Sequence, residues 1–159
     1  MYQMLDCITH LDDPRTAIIK DDPVRPNIAL EDRINERAKI YLWCEEEQIR
    51  SAVCVALCDA IPDSENTLLS PPVGELTVAV AYTIWSYSSG AAQKLIFALR
   101  DQLPESIVKM VTLSPQTEMA RKFHERNGAK LVRENADTWN FEYTIAKETI
   151  ELKQQQAEH

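Results

Sequence analysis

The sequence predicts an α/β fold of the α+β kind, a mixed sheet with helices on its faces, and three observations carry that reading. The run Thr77-Val-Ala-Val-Ala-Tyr-Thr-Ile-Trp85 is rich in β-branched and aromatic residues and reads as a buried strand. A short polar turn follows, Ser86-Tyr-Ser-Ser-Gly90, and then apolar residues at Ala91, Ala92, Leu95, Ile96, Leu99 and Leu103, the spacing of a helix with one buried face. Strand-like and helix-like stretches follow one another roughly in the order β-α-β-β-β-α-β-α-β-β.

The elements follow in order. Residues 1 to 26 carry a short apolar start (Met4, Leu5, Ile8) and then acids and prolines, a ragged edge segment with a short strand at Thr16 to Lys20. Asn27 to Arg37 reads as a weak amphipathic helix capped by Asn27. Lys39 to Cys44 and Ile49 to Ile61 form an antiparallel hairpin around the acidic turn Glu45-Glu-Glu-Gln48, and Pro62 to Pro72 is a polar loop. After Pro104, Ile107 to Leu113 is a strand. Ser114 and Pro115 open a helix as N-cap and first helical residue, and it runs to Asn127 with Gly128 as its left-handed C-cap. Lys130 to Glu134 and Thr138 to Ile145 are the last strands, around an Asn135-Ala-Asp turn. Residues 1–145 are expected to be a single domain and 146–159 a polar C-terminal tail.

Composition narrows the function. At 159 residues with a net charge of −8, the chain lacks the basic surface that nucleic acid or an anionic membrane requires. Such a charge leaves room for an anionic cofactor, which needs only a local site. No basic stretch precedes an apolar one at the start, so a cytoplasmic location is expected. Cys7, Cys44, Cys54 and Cys58 form no CxxC pair, and His10, His124 and His159 are scattered, so neither disulfides nor a metal site are expected. A homo-oligomer is left open.

Two places carry chemistry. A strand, tight turn and helix around Gly90 aim the first N–H groups of the helix at the turn, which suits a pyrophosphate. His124 is the one histidine inside an expected element; it is either a core histidine hydrogen-bonded to backbone or a general acid/base and carboxylate binder. Thr83 on its own reads as a strand threonine packing through its methyl.

The element order and the turn Ser88-Ser-Gly-Ala-Ala92 resemble the GNAT fold of the N-acetyltransferases, which implies a mostly antiparallel sheet with a central splayed strand and acyl-CoA in the gap. Tyr87 stands where the usual family turn opens with Arg or Gln, and His124 where many members carry a tyrosine general acid. Phe123-His-Glu-Arg-Asn-Gly-Ala129 is similar to the histidine motif of malonyl-CoA decarboxylase, whose catalytic domain is GNAT-like. Val55-Ala-Leu-Cys-Asp-Ala-Ile61, Tyr82-Thr-Ile84, Val111-Thr-Leu-Ser-Pro115 and Asn140-Phe-Glu-Tyr143 agree in order, and the likeness spans roughly residues 23 to 145.

That resemblance implies His124 and Thr83 as catalytic residues flanking one gap, with Thr83 and nearby backbone N–H groups donating to the oxyanion. It implies CoA contacts from Tyr82, Trp85, Tyr87, Ser88, Ser89, Gly90, Ala91, Ala92, Lys94, Ser114 and Thr117, and no metal. The expected partner is a small-molecule acyl-CoA, and the expected reaction is decarboxylation of a malonyl thioester. The alternatives are an N-acyltransferase, with Glu142 or Glu75 as its base, and a non-catalytic CoA-binding module.

Overall fold

The computed structural model describes residues 2–145, so the expected tail at 146–159 lies outside the described residues. Among the described residues eight strands form one sheet in the order β1-β2-β3-β4-β5-β8-β6, with β7 also paired to β8. The strands are β1 (Gln3–Ile8), β2 (Ala38–Glu45), β3 (Gln48–Cys58), β4 (Val78–Ser86), β5 (Lys109–Thr112), β6 (Ser114–Pro115), β7 (Lys130–Glu134) and β8 (Thr138–Tyr143). The helices are α1 (Leu30–Arg33), α2 (Glu65–Leu69), α3 (Ala91–Arg100) and α4 (Glu118–Arg126). All neighbours pair antiparallel except β4 and β5. The mixed, mostly antiparallel sheet that the sequence predicts is the sheet that forms.

The sheet is covered on both faces. On one, Ile40, Leu42, Cys54, Ala56, Val80 and Tyr82 pack with Ile28, Ile34 and Leu68 from the α1 and α2 segments. On the other, Val53, Val55, Ala79 and Ala81 meet Leu95, Ile96 and Leu99 of α3, with Phe141 and Tyr143 alongside. Burial on both sides is why β3 and β4 read as unbroken apolar runs rather than alternating ones. The β2–β3 turn places Glu46 and Glu47 at φ 52° and 67°, the pair of positive values that a two-residue hairpin turn demands.

Several local expectations are corrected by side chains that the one-dimensional pattern does not weigh. The stretch expected as a strand from Thr16 to Lys20 lies in a 3₁₀ helix, Pro14–Asp21, because the Asp13 carboxylate caps the Arg15 N–H and Pro14 fixes the first helical φ. The helix expected from Asn27 to Arg37 shrinks to α1, since the Arg33 side chain is drawn inward to the carbonyls of Ile28 and Arg25. Pro62 to Pro72 contains α2, capped by Ser64. Ser114 is not the cap of α4: Ser114–Pro115 pair with β8 as β6, and Thr117 takes the capping role, accepting from the Ala120 N–H. The segment read as ragged holds β1, paired along its whole length with β2.

Two features of β4 make the site. Opposite Cys54 and Val55 the register runs Cys54↔Thr83 and Val55↔Ala81, so Tyr82 is an extra residue, a bulge that turns the next side chain. The parallel ladder to β5 ends at Ala81, where the Leu113 N–H reaches the Ala81 carbonyl at 3.2 Å, while β4 stays paired to β3 as far as Ser86. Beyond Ala81, then, β4 splays from its neighbour.

Candidate active site

A cavity of about 550 Å³ opens in that gap. Its walls are Ala81 to Ser86 of β4, Leu113 to Pro115, Ala92 and Ile96 of α3, Thr117 and the Met119, Ala120, Phe123 and His124 face of α4, and Pro23 with Val24. Most of these side chains are apolar, so water inside has few partners. Among the residues that the sequence reading nominates, Thr83, His124, Tyr82, Trp85, Ala92, Ser114 and Thr117 all line this one cavity. Tyr87, Ser88, Ser89, Gly90 and Ala91 lie between Ser86 and Ala92, which do line it. Lys94 is turned away, with its ammonium 3.1 Å from Glu45.

His124 comes from the last turn of α4 and is 6% exposed. Its ring sits 5.2 Å from the Phe123 and Phe141 rings and 5.7 Å from that of Tyr143. Nδ1 is 2.7 Å from the Tyr143 hydroxyl, and among the described residues no hydrogen bond to Nε2 is found. Burial pushes the imidazole down to about 4, so it is neutral at pH 7, and it raises the Tyr143 hydroxyl above its usual range. A neutral ring with one nitrogen beside a hydroxyl, in the wall of an apolar cavity, can gain a proton when an anion arrives.

Thr83 is 4% exposed, and its hydroxyl bonds Asp22 Oδ1 at 2.8 Å. Asp22 Oδ2 lies 2.7 Å from Arg33 Nη1, and both of those side chains are fully buried. Burial alone would push the Asp22 carboxyl up; the Arg25 N–H, the Arg33 guanidinium, the Val24 N–H and the Thr83 hydroxyl outweigh it and hold it below the usual range. An ionised carboxylate only accepts, so Thr83 is the donor in their bond. The Thr83 hydrogen expected at an oxyanion is therefore engaged on the other side, and the hydroxyl's lone pairs are left for the cavity. Register places Thr83 on the Cys54 face of the sheet, whereas His124 packs with Phe141 and Tyr143 on the opposite face; the splay is what lets both reach one space.

The segment from Asp21 to Arg25 forms a strap over this wall. Tyr87 donates to Asp21 at 2.6 Å and accepts from Trp85 Nε1 at 2.9 Å, and Arg25 Nη1 donates to the Tyr82 carbonyl. Sequence reasoning missed Asp22 and Arg25, which lie in the segment read as ragged, and Arg33, which lies in the expected helix from Asn27 to Arg37. It included Tyr143 in a matched stretch without a role.

At the other end of the splay, Gly90 holds φ +80° as the N-cap of α3, a conformation that an L side chain rarely adopts. In the first α3 turn the Ala91 N–H goes to the Ser88 carbonyl and the Lys94 N–H to the Gly90 carbonyl, which leaves those of Ala92 and Gln93 without a backbone acceptor among the described residues. Among the described residues no group of His, Cys, Asp and Glu is arranged to hold a metal ion. No helix there is long and apolar enough to cross a membrane.

No protein-family model matches the sequence, and no curated protein matches it. Solved structures do resemble this chain. A GNAT family acetyltransferase from Elizabethkingia anophelis with acetyl-CoA bound aligns at a TM-score of 0.56 and 9% identity, over 88% of this chain and 94% of that one. The fold is the GNAT fold. An acetyltransferase of Bacillus subtilis in complex with CoA shares it at a TM-score of 0.60 and 9% identity, over 91% and 99% of the two chains. The malonyl-CoA decarboxylase of Agrobacterium vitis aligns at 0.57 with 22% identity, over 84% of this chain and 39% of that one. This GNAT-fold chain thus spans well under half the length of that decarboxylase.

Proposed function

We propose that the protein binds acyl-CoA in the β4 splay and decarboxylates a malonyl thioester to an acetyl thioester. The observation that carries this reading is the pairing, in one apolar cavity, of a buried neutral histidine and a strand hydroxyl whose own hydrogen is already taken. Neighbours of the same fold holding acetyl-CoA or CoA support the ligand, and the positive φ of Gly90 supports a phosphate turn at the start of α3.

In this reading the malonyl carboxylate meets Nε2 of His124, and its charge raises the proton affinity of the ring. The imidazolium donates Nε2–H to the carboxylate and Nδ1–H to the Tyr143 oxygen. With little water in the cavity, the carboxylate loses hydration that the leaving CO₂ does not need. The bond between the α-carbon and the carboxyl carbon breaks, and its electron pair passes to the α-carbon and the thioester oxygen. Backbone N–H groups of β4 beyond Ala81, freed from β5 by the splay, face the developing oxyanion. His124 then returns its Nε2 proton to the α-carbon, leaving acetyl-CoA and a neutral ring. One proton is consumed per turnover.

An N-acyltransferase would require an amine beside the thioester as well. The Thr83 side of the wall is closed by Asp22, Arg33 and Tyr82, all 4% exposed or less, which favours a reaction with one substrate. Incubation with malonyl-CoA and with acetyl-CoA, each with and without amines, tests the proposal. Conversion of malonyl-CoA to acetyl-CoA without an amine is the expected result; amine-dependent release of free CoA instead would make the protein an acyltransferase, and binding without turnover a binding module.

A further inference from the structure

No bond forms or breaks at Thr83 in the proposed reaction, although its contact with Asp22 sits at the wall of the cavity and joins groups 61 residues apart. Asp22 Oδ1 accepts the Val24 and Arg25 N–H groups at 2.8 and 2.9 Å together with the Thr83 hydroxyl, and Arg33 holds Oδ2. All of the carboxylate's partners are donors, which fixes it in one orientation. A threonine hydroxyl owns a single hydrogen. With that hydrogen given to Asp22, Thr83 presents only lone pairs to the cavity, and an anion placed against them meets no donor. Nε2 of His124, across the cavity, carries a hydrogen once the ring is protonated.

We propose that Asp22 is a positioning residue: by taking the Thr83 hydrogen it turns the acyl carboxylate away from β4 and toward His124. The inference rests on the decarboxylase reading of the same cavity. Only the pose with the carboxylate at His124 puts a proton donor beside the carbon that needs it; a carboxylate held at Thr83 would bind well and not react. Asp22 thus acts through Thr83, as a determinant of which of two acyl poses is populated.

Removing Asp22 alone would leave Arg33 buried without its counter-charge, so the comparison uses Arg33→Met as a common background. In Asp22→Asn/Arg33→Met the amide oxygen still accepts from Thr83; in Asp22→Ala/Arg33→Met nothing does, and the hydroxyl is free to turn into the cavity. The binding probes are the amide isosteres of malonyl-CoA and acetyl-CoA, in which nitrogen replaces the thioester sulfur and the malonyl carboxylate is stable. Calorimetry is expected to show the alanine variant preferring the malonyl over the acetyl isostere roughly tenfold more than the asparagine variant does, the factor that one net hydrogen bond supplies. Adding Thr83→Val should erase that difference. With malonyl-CoA itself, kcat and KM of the alanine variant should fall together by the same factor, leaving kcat/KM unchanged, the signature of a competing unproductive pose. Equal isostere preferences in the alanine and asparagine variants, or a difference that survives Thr83→Val, would overturn the assignment. If the parent protein does not turn over malonyl-CoA, the decarboxylase reading fails, and the isostere preferences still decide the role of Asp22 on their own.

Discussion

His124 reaches the cavity as a neutral imidazole because three aromatic rings exclude water from around it, and two measurable consequences follow. On the proposed function, binding a malonyl group brings a proton with it. Calorimetry of the malonyl amide isostere at pH 7, repeated in buffers of different ionisation enthalpy, should report close to one proton taken up, and none for the acetyl isostere. On the proposed function, affinity comes from distant phosphate and pantetheine contacts, so His124→Ala should lose that uptake, keep its affinity for CoA within a few-fold, and lose decarboxylation by at least roughly a hundredfold. The second consequence concerns stability. The ordinary value of 6.5 falls to about 4 in the folded chain, so between those pH values the unfolded state binds more protons. His124 therefore contributes stability above pH 6.5 that is lost as pH falls toward 4, on the order of 3 kcal/mol for a shift of this size. Urea titrations across that window should show the loss, and His124→Gln should flatten it. At this scale the sequence was informative about which residues matter and uninformative about their state: His124 and Thr83 stand out by their motifs, whereas a burial-depressed ring and a hydroxyl already engaged by Asp22 are set by residues far away in the chain.

Among the elements, β4 and α3 were the most legible, because a β-branched run, a glycine and an amphipathic helix follow one another without interruption. The observed strand Val78–Ser86 and helix Ala91–Arg100 fall within a residue or so of the expected strand and helix starts. The bulge at Tyr82 was not legible, since it arises from pairing with β3 and leaves no mark in the composition of either strand. Nor was β6, a two-residue strand whose serine and proline carry the usual signature of a helix start. The turn between β4 and α3 depends on Gly90, and a Cβ there would meet no atom within 4 Å. The cost of substitution is therefore conformational. Gly90→Val should lower stability by about 1–2 kcal/mol, the cost of the left-handed region for an L residue, and should weaken CoA binding by shifting the N–H groups of the first helical turn. A folded Gly90→Val protein with the parent's CoA affinity by calorimetry would place the phosphates elsewhere.

For the whole molecule, the two cores on either side of the sheet follow from apolar periodicity, but the charged pair inside one of them does not. Asp22 reads as a solvated acid in the proline-containing segment and Arg33 as a charge on a weak amphipathic helix, and their side chains are fully buried against each other. Arg33→Met should lower stability by about 3–5 kcal/mol, because it leaves a buried carboxylate uncompensated, and Asp22→Asn in that background should recover part of the loss in thermal denaturation. The strap that carries Asp22 also bears on how the chain acquires its shape. Its ties to β4 and to Tyr87 just beyond it join residues 57, 61 and 66 positions apart, whereas β2 and β3 are joined by a two-residue turn. Closing loops of that length is slow compared with forming a hairpin. In pulsed hydrogen exchange during refolding, the amides of β2 and β3 should be protected first and those of Val24 and Arg25 last. The chain would then hold a sheet before it holds a pocket, and a nascent molecule would acquire its affinity for ligand only in the closing step of folding.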